Sequence, residues 1–114
     1  MRTLCVQFQP QRSPQLSSTR VLGVFARSVA LDPAVLRFEV HKGNDRGPYF
    51  NFHFFGQNRS LPHIWSLVER RALKHRALGG MLRRASIVTC EGSRGWANYR
   101  LLHHFDPEVP LEVL

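Results

Sequence analysis

The sequence predicts a single α+β domain over residues 1–114, an antiparallel sheet with two helices on one face. Apolar residues alternate with a period of two in several short stretches. Two longer stretches between them carry the 3.6-residue spacing of amphipathic helices, and clusters of turn formers separate them all. A chain of 114 residues with 43% hydrophobic and 21% charged side chains has ordinary globular composition and room for one core, not two.

Leu4, Val6 and Phe8 alternate with Thr3, Cys5 and Gln7, which marks a first strand ended by Pro10. The run SSTRVLGVFARSVAL opens with Ser/Thr cap candidates and sets Val21, Leu22, Phe25 and Val29 on one side, a helix stopped at Asp32-Pro33. Leu36, Phe38 and Val40 form a second inward set. Turn formers over KGNDRGP then lead to Phe50, Phe52 and Phe54, which completes a hairpin. Ser60 is a cap candidate for a second helix with Pro62 in its first turn. Ile64, Trp65, Val68 and Ala72 point inward there, Arg70, Arg71, Lys74 and Arg76 face away, and Gly79-Gly80 supplies the stop. Arg83-Arg84 falls in a link before a fourth strand, Ser86 to Glu91, with Val88 and Cys90 inward, or Ile87 if the register is shifted by one. After the turn Gly92 to Gly95, the alternation of Tyr99, Leu101, His103 and Phe105 reads as a fifth strand, although Trp96, Tyr99 and Leu102 also fit one face of a short helix. The tail DPEVPLEVL, with two prolines, is expected to pack as an extended arm.

This order is the ferredoxin-like βαββαβ arrangement, an antiparallel sheet with two helices on one face, plus a C-terminal extra strand. So many activities use that arrangement that it carries no function by itself.

Charge says more. Fourteen Arg and two Lys against eight Asp and Glu give a net charge of +8, which draws in acidic proteins and polyanions. The two cysteines, Cys5 and Cys90, fit no ligand spacing and fall on opposite faces of the predicted sheet. They are expected as free thiols in a reducing compartment. No apolar run is long enough for a signal peptide or a membrane span, and the expectation is a soluble, cytoplasmic protein without membrane contact.

The strand face away from the helices should display Gln7, Arg37, Glu39, His41, Asn51 and His53, with Glu39 and His53 as a candidate acid/base pair. Solvated polar residues are also what alternation on a half-buried sheet produces. No nucleophile and base can be paired from spacing. Six histidines include the pair His103-His104, but neighbours on a strand point to opposite faces and no HxxxH run exists, so no metal site and no cofactor are expected. Arg46 to His53 partly echoes the ribonucleoprotein motif, yet Phe50, at a stacking position, shares parity with the core residues Phe52 and Phe54.

Two groups remain as candidate partner-binding residues. Arg70, Arg71, Lys74 and Arg76 on the second helix are offset locally only by Glu69, and guanidinium groups bind phosphate and carboxylate bidentately. Arg94, Trp96, Tyr99 and Arg100 combine the aromatic and arginine side chains that dominate interface hot spots, unless Trp96 instead closes the edge of the core. The stretch Gly92-Ser93-Arg94-Gly95-Trp96 through Tyr99-Arg100-Leu101-Leu102-His103-His104-Phe105-Asp106-Pro107 resembles small bacterial immunity proteins, which neutralise a cognate toxin. The resemblance implies a non-enzymatic inhibitor covering the toxin's active site or substrate surface. The chain is basic where immunity proteins paired with basic nucleases are usually acidic, so its toxin needs an acidic contact surface. The expectation is therefore a binding protein without catalysis, and the alternative is a nucleic-acid-binding module working through the second helix.

Overall fold

The computed structural model describes residues 1–114. Five strands form one open antiparallel sheet: β1 (Arg2–Phe8), β2 (Arg37–Asn44), β3 (Pro48–Gly56), β4 (Ser86–Gly92) and β5 (Gly95–His103), in the order β2-β3-β1-β4-β5. Helices α1 (Ser18–Val24), α2 (Leu61–Val68) and α3 (Gly79–Ala85) supply the covering layer.

The alternation read from the sequence sets the register. Leu4, Val6 and Phe8 of β1 stand opposite Phe54, Phe52 and Phe50 of β3, and Leu4 and Val6 stand opposite Cys90 and Val88 of β4. All of these except Phe50 are fully or almost fully buried. Phe25 of the first helical stretch lies 4.9 Å from the Phe52 ring and 5.8 Å from Phe54, within the range where aromatic pairs add to simple burial. One cluster of 21 buried residues runs through the sheet and the helices.

Several elements differ from the sequence reading. Leu22 is 39% exposed because Val21, Phe25 and Val29, spaced by four, form the buried stripe and Leu22 sits about 100° around the helix from Val21. Leu36 is 57% exposed; it precedes the outermost strand, where Phe38 and Val40 are themselves only partly covered. Ser60 precedes α2, but its side chain makes no capping hydrogen bond. The helical layer has three helices and not two, because Gly79-Gly80 begins α3 instead of ending α2. A Cβ at Gly79 would lie 2.6 Å from the Leu73 carbonyl oxygen, so this glycine permits a close approach between consecutive helices. Leu78, Leu82 and Ala85 are buried at helical spacing, and Arg83 and Arg84 consequently sit on a helix, not in a link. The segment after Gly95 is a strand. It ends at His103, leaving Phe105 outside it with the Arg12 guanidinium 3.4 Å above its ring.

The first two helices also widen at their C-terminal ends. α1 continues as a π-helical segment, Phe25–Val29, with Ala30 N–H donating to the Phe25 carbonyl at 2.9 Å. α2 continues likewise over Glu69–Leu73, with Lys74 N–H donating to the Glu69 carbonyl at 2.8 Å. The two wide turns are tied together by Arg71, which donates to the Ser28 carbonyl at 2.7 Å. No helix is long and apolar enough to cross a membrane.

Candidate functional site

The sheet separates the two predicted binding groups. Arg70, Arg71, Lys74 and Arg76 lie on and just after the widened end of α2, all exposed. Trp96 lies across the sheet, where it lines a groove of about 320 Å³ with Cys5, Gln7, Asn51, His53, Ile87 and Thr89. The structure thus presents two surfaces instead of one site.

The groove exists because β1, β3 and β4 bring mostly small or polar residues, with Ile87 among them, together on the face without helices. Cys5 stands opposite His53 on one side and Thr89 on the other, and Gln7 opposite Asn51 and Ile87. The Oδ1 atom of Asn51 is buried there without a hydrogen-bond partner. Trp96 joins the lining from the start of β5, just after the β4–β5 turn. Asn98 Oδ1 accepts from Arg94 N–H at 2.7 Å and Asn98 Nδ2 donates to Ser93 Oγ at 2.9 Å, which closes the loop on itself. Trp96 and Tyr99 remain 44% and 54% exposed, so Trp96 does not close the core. Arg100 belongs elsewhere. It stands opposite the buried Cys90, and its guanidinium donates to the Val113 carbonyl of the tail at 3.2 Å.

Beside the groove, the predicted polar platform assembles. Glu39 Oε2 meets Arg37 Nε at 2.8 Å and its Oε1 meets His41 Nε2 at 2.9 Å. The hydrogen bond from His41 is the main reason the Glu39 carboxyl is held below its ordinary range, with Arg37 adding to it. His53 packs edge-on against His41 at 5.1 Å between ring centroids. His53 stands opposite Glu39 in the register, but the carboxylate's hydrogen bonds go to Arg37 and His41 on its own strand and none joins it to His53. Desolvation, helped by the proximity of His41, lowers the His53 pKa. No three His, Cys, Asp or Glu side chains are grouped to hold a metal ion.

Both cysteines are free, as the divergent faces require. Burial pushes the Cys5 thiol up to about 12 and raises Cys90 as well, so neither has thiolate character at neutral pH. Phe50 packs toward Phe8 and Phe52 at 6.4 and 6.3 Å between centroids. The position that echoes a base-stacking platform faces the covered side.

Sequence reasoning missed how sharply charge is divided. Residues 16–34 and 57–85, which make up the helical layer, hold nine of the sixteen Lys and Arg and two of the eight Asp and Glu, a net of +7. The rest of the chain nets +1. No protein-family model, curated protein or solved structure matches this chain.

Proposed function

We propose that this chain is a non-catalytic binding protein of the immunity type, which holds and neutralises a cognate toxin through the β4–β5 hairpin and the adjoining open face. The observation that carries the reading is the exposure of Trp96 and Tyr99 on a hairpin already ordered by Asn98. Exposed aromatic side chains on an ordered turn lose little entropy on binding, and such residues supply a large share of interface energy. Arg94, beside them, adds a guanidinium for an acidic contact surface, in keeping with the net charge of +8. The strand order β2-β3-β1-β4, with helices after β1 and β3, supports a ferredoxin-like arrangement in which β5 is an added edge strand and α3 an added helix.

The test is co-production with the product of the adjacent gene. Protection of the host and a stable complex are expected, with Trp96→Ala and Tyr99→Ala each weakening the complex by about tenfold or more while leaving the fold intact. A protein that neither binds nor protects, or whose complex ignores both substitutions, overturns the reading. The concentration of +7 on the helical layer favours a second reading, a nucleic-acid-binding module on that face.

A further inference from the structure

Between α1 and the chain that follows the widened end of α2 lies a cleft of about 420 Å³. Its polar lining comes from Thr19, Arg20, Arg27, Ser28 and His75, and no Asp or Glu lines it. Arg20 and Arg27 are both exposed on the same helical stretch, and neither is in an ion pair. The His75 ring is fixed by its Nδ1, which accepts the N–H groups of Ala77 and Leu78 at 3.1 Å each. An Nδ1 that accepts leaves the ring hydrogen on Nε2, so His75 brings a positioned donor without needing a charge. Gly23 also lines the cleft, and nothing stands within 4 Å of where its Cβ would be.

We infer that this cleft binds a backbone phosphate of a nucleic acid. Two guanidinium groups, an imidazole N–H and two hydroxyls form a set dominated by donors, and phosphate oxygens are acceptors that take several such bonds at once. The basic surface continues past the cleft through Arg71, Lys74 and Arg76, which suits a ligand that repeats its charge along a chain. An acidic protein fits less well. The exposed aromatic side chains that anchor protein partners are Trp96 and Tyr99, on the hairpin, and the helical layer exposes none. The inference rests on the second reading above and is independent of the toxin-binding one. It moves the centre of that reading from the second helix to the first.

Gly23→Glu tests it without endangering the fold. The new carboxylate enters open space between Arg20 and Arg27, removes a glycine from a helix and can pair with both arginines, so this variant should melt no lower than the native protein. Gly23→Gln is the uncharged control. With a fluorescein-labelled 20-mer single-stranded DNA as probe, the native protein should bind, and Gly23→Glu should bind about tenfold or more weakly than the equally bulky Gly23→Gln. Taking Arg20 and Arg27 out of play should also flatten the slope of log affinity against log salt by about 1.4. If the native protein binds the DNA and Gly23→Glu binds it equally well, the cleft is wrong while the basic face stands. If it binds no DNA at 50 mM salt, both fall. Tight binding of inorganic phosphate without binding of the oligonucleotide, or an effect of Gly23→Glu confined to an acidic protein partner, overturns the assignment to nucleic acid.

Discussion

Leu4, Val6, Phe8, Phe52, Phe54, Val88 and Cys90 are at most 1% exposed, whereas their strand neighbours Gln7, Asn51, His53, Ile87 and Thr89 are partly open and line a groove with no helix above it. The same three strands thus carry a closed apolar face and an open polar one. What divides them is parity alone, since successive side chains of a strand point to opposite sides. Charge follows a different division. The helices over the closed face carry nearly all of the basic excess, and the open face carries the Glu39 pairs and the two exposed aromatics of the hairpin. The closed face holds the fold, and the basic excess and the exposed aromatics lie on opposite outer surfaces.

The sharpest way to break this comparison is to truncate on either side of it. Phe52→Ala removes a ring packed between Phe25 and Phe38 and should cost about 3–5 kcal/mol. Leu36→Ala, outside the cover, should stay within about 0.5 kcal/mol. Urea unfolding of both variants checks the pair, and a large loss at Leu36 would mean that the edge of the sheet is covered after all.

How far the sequence could lead is clear from these two residues. Phe52 and Leu36 both sit at inward positions of an alternating pattern, and periodicity cannot tell a central strand from the edge of a sheet. For the same reason the strands and their inward sets were legible, while Leu22 and Leu36 were not. Gly79-Gly80 has the composition of a helix stop, and only the carbonyl of Leu73 explains why a glycine begins a helix there. Residue type singled out Trp96 and Tyr99, but His75 joins Arg20 and Arg27 only through packing between distant segments, a signal that local spacing does not contain.

The hairpin can be broken from inside. A Cβ at Gly92 would collide with the backbone carbonyl of Asn98, which cannot swing away as a side chain would. Gly92→Ala should therefore cost about 1–3 kcal/mol and displace Trp96, changing its fluorescence. Native stability together with an unchanged spectrum would show that the hairpin is looser than its hydrogen bonds imply.

Thiol chemistry compares the two faces directly. Cys5 is 8% exposed beside Trp96 in the groove, and Cys90 is 0% exposed in the core. Iodoacetamide at pH 8 should label neither cysteine in the folded protein on the timescale that labels both after denaturation, because burial keeps both as thiols. Trp96→Ala should speed labelling of Cys5 and leave Cys90 untouched, as read by peptide mass spectrometry. Equal acceleration of both would indicate global loosening instead of an opened groove.

The smallest expected effect is on the pH dependence of stability. His53 faces Cys5 of β1 and lies near His41 and Glu39 of β2; desolvation, with His41 assisting, lowers its pKa from the ordinary 6.5. His103, whose ring bonds the Arg83 carbonyl at 2.9 Å, is also lowered, chiefly by desolvation. A histidine with a depressed folded pKa is neutral in the fold at a pH where the unfolded chain already binds a proton. Its contribution is complete above about pH 6.5 and is lost as the pH falls through that value toward the folded one. Glu39 and Asp32, lowered by the His41 hydrogen bond and the Ala34 N–H respectively, give a second loss as the pH falls below their ordinary values of 4.5 and 3.8. Stability measured from pH 8 to pH 3 should therefore decline in two steps. His53→Gln should shrink the upper step without abolishing it, because His103 remains on the other side of the sheet. An upper step unchanged in His53→Gln would assign it to His103 alone and leave the open face without a part in it.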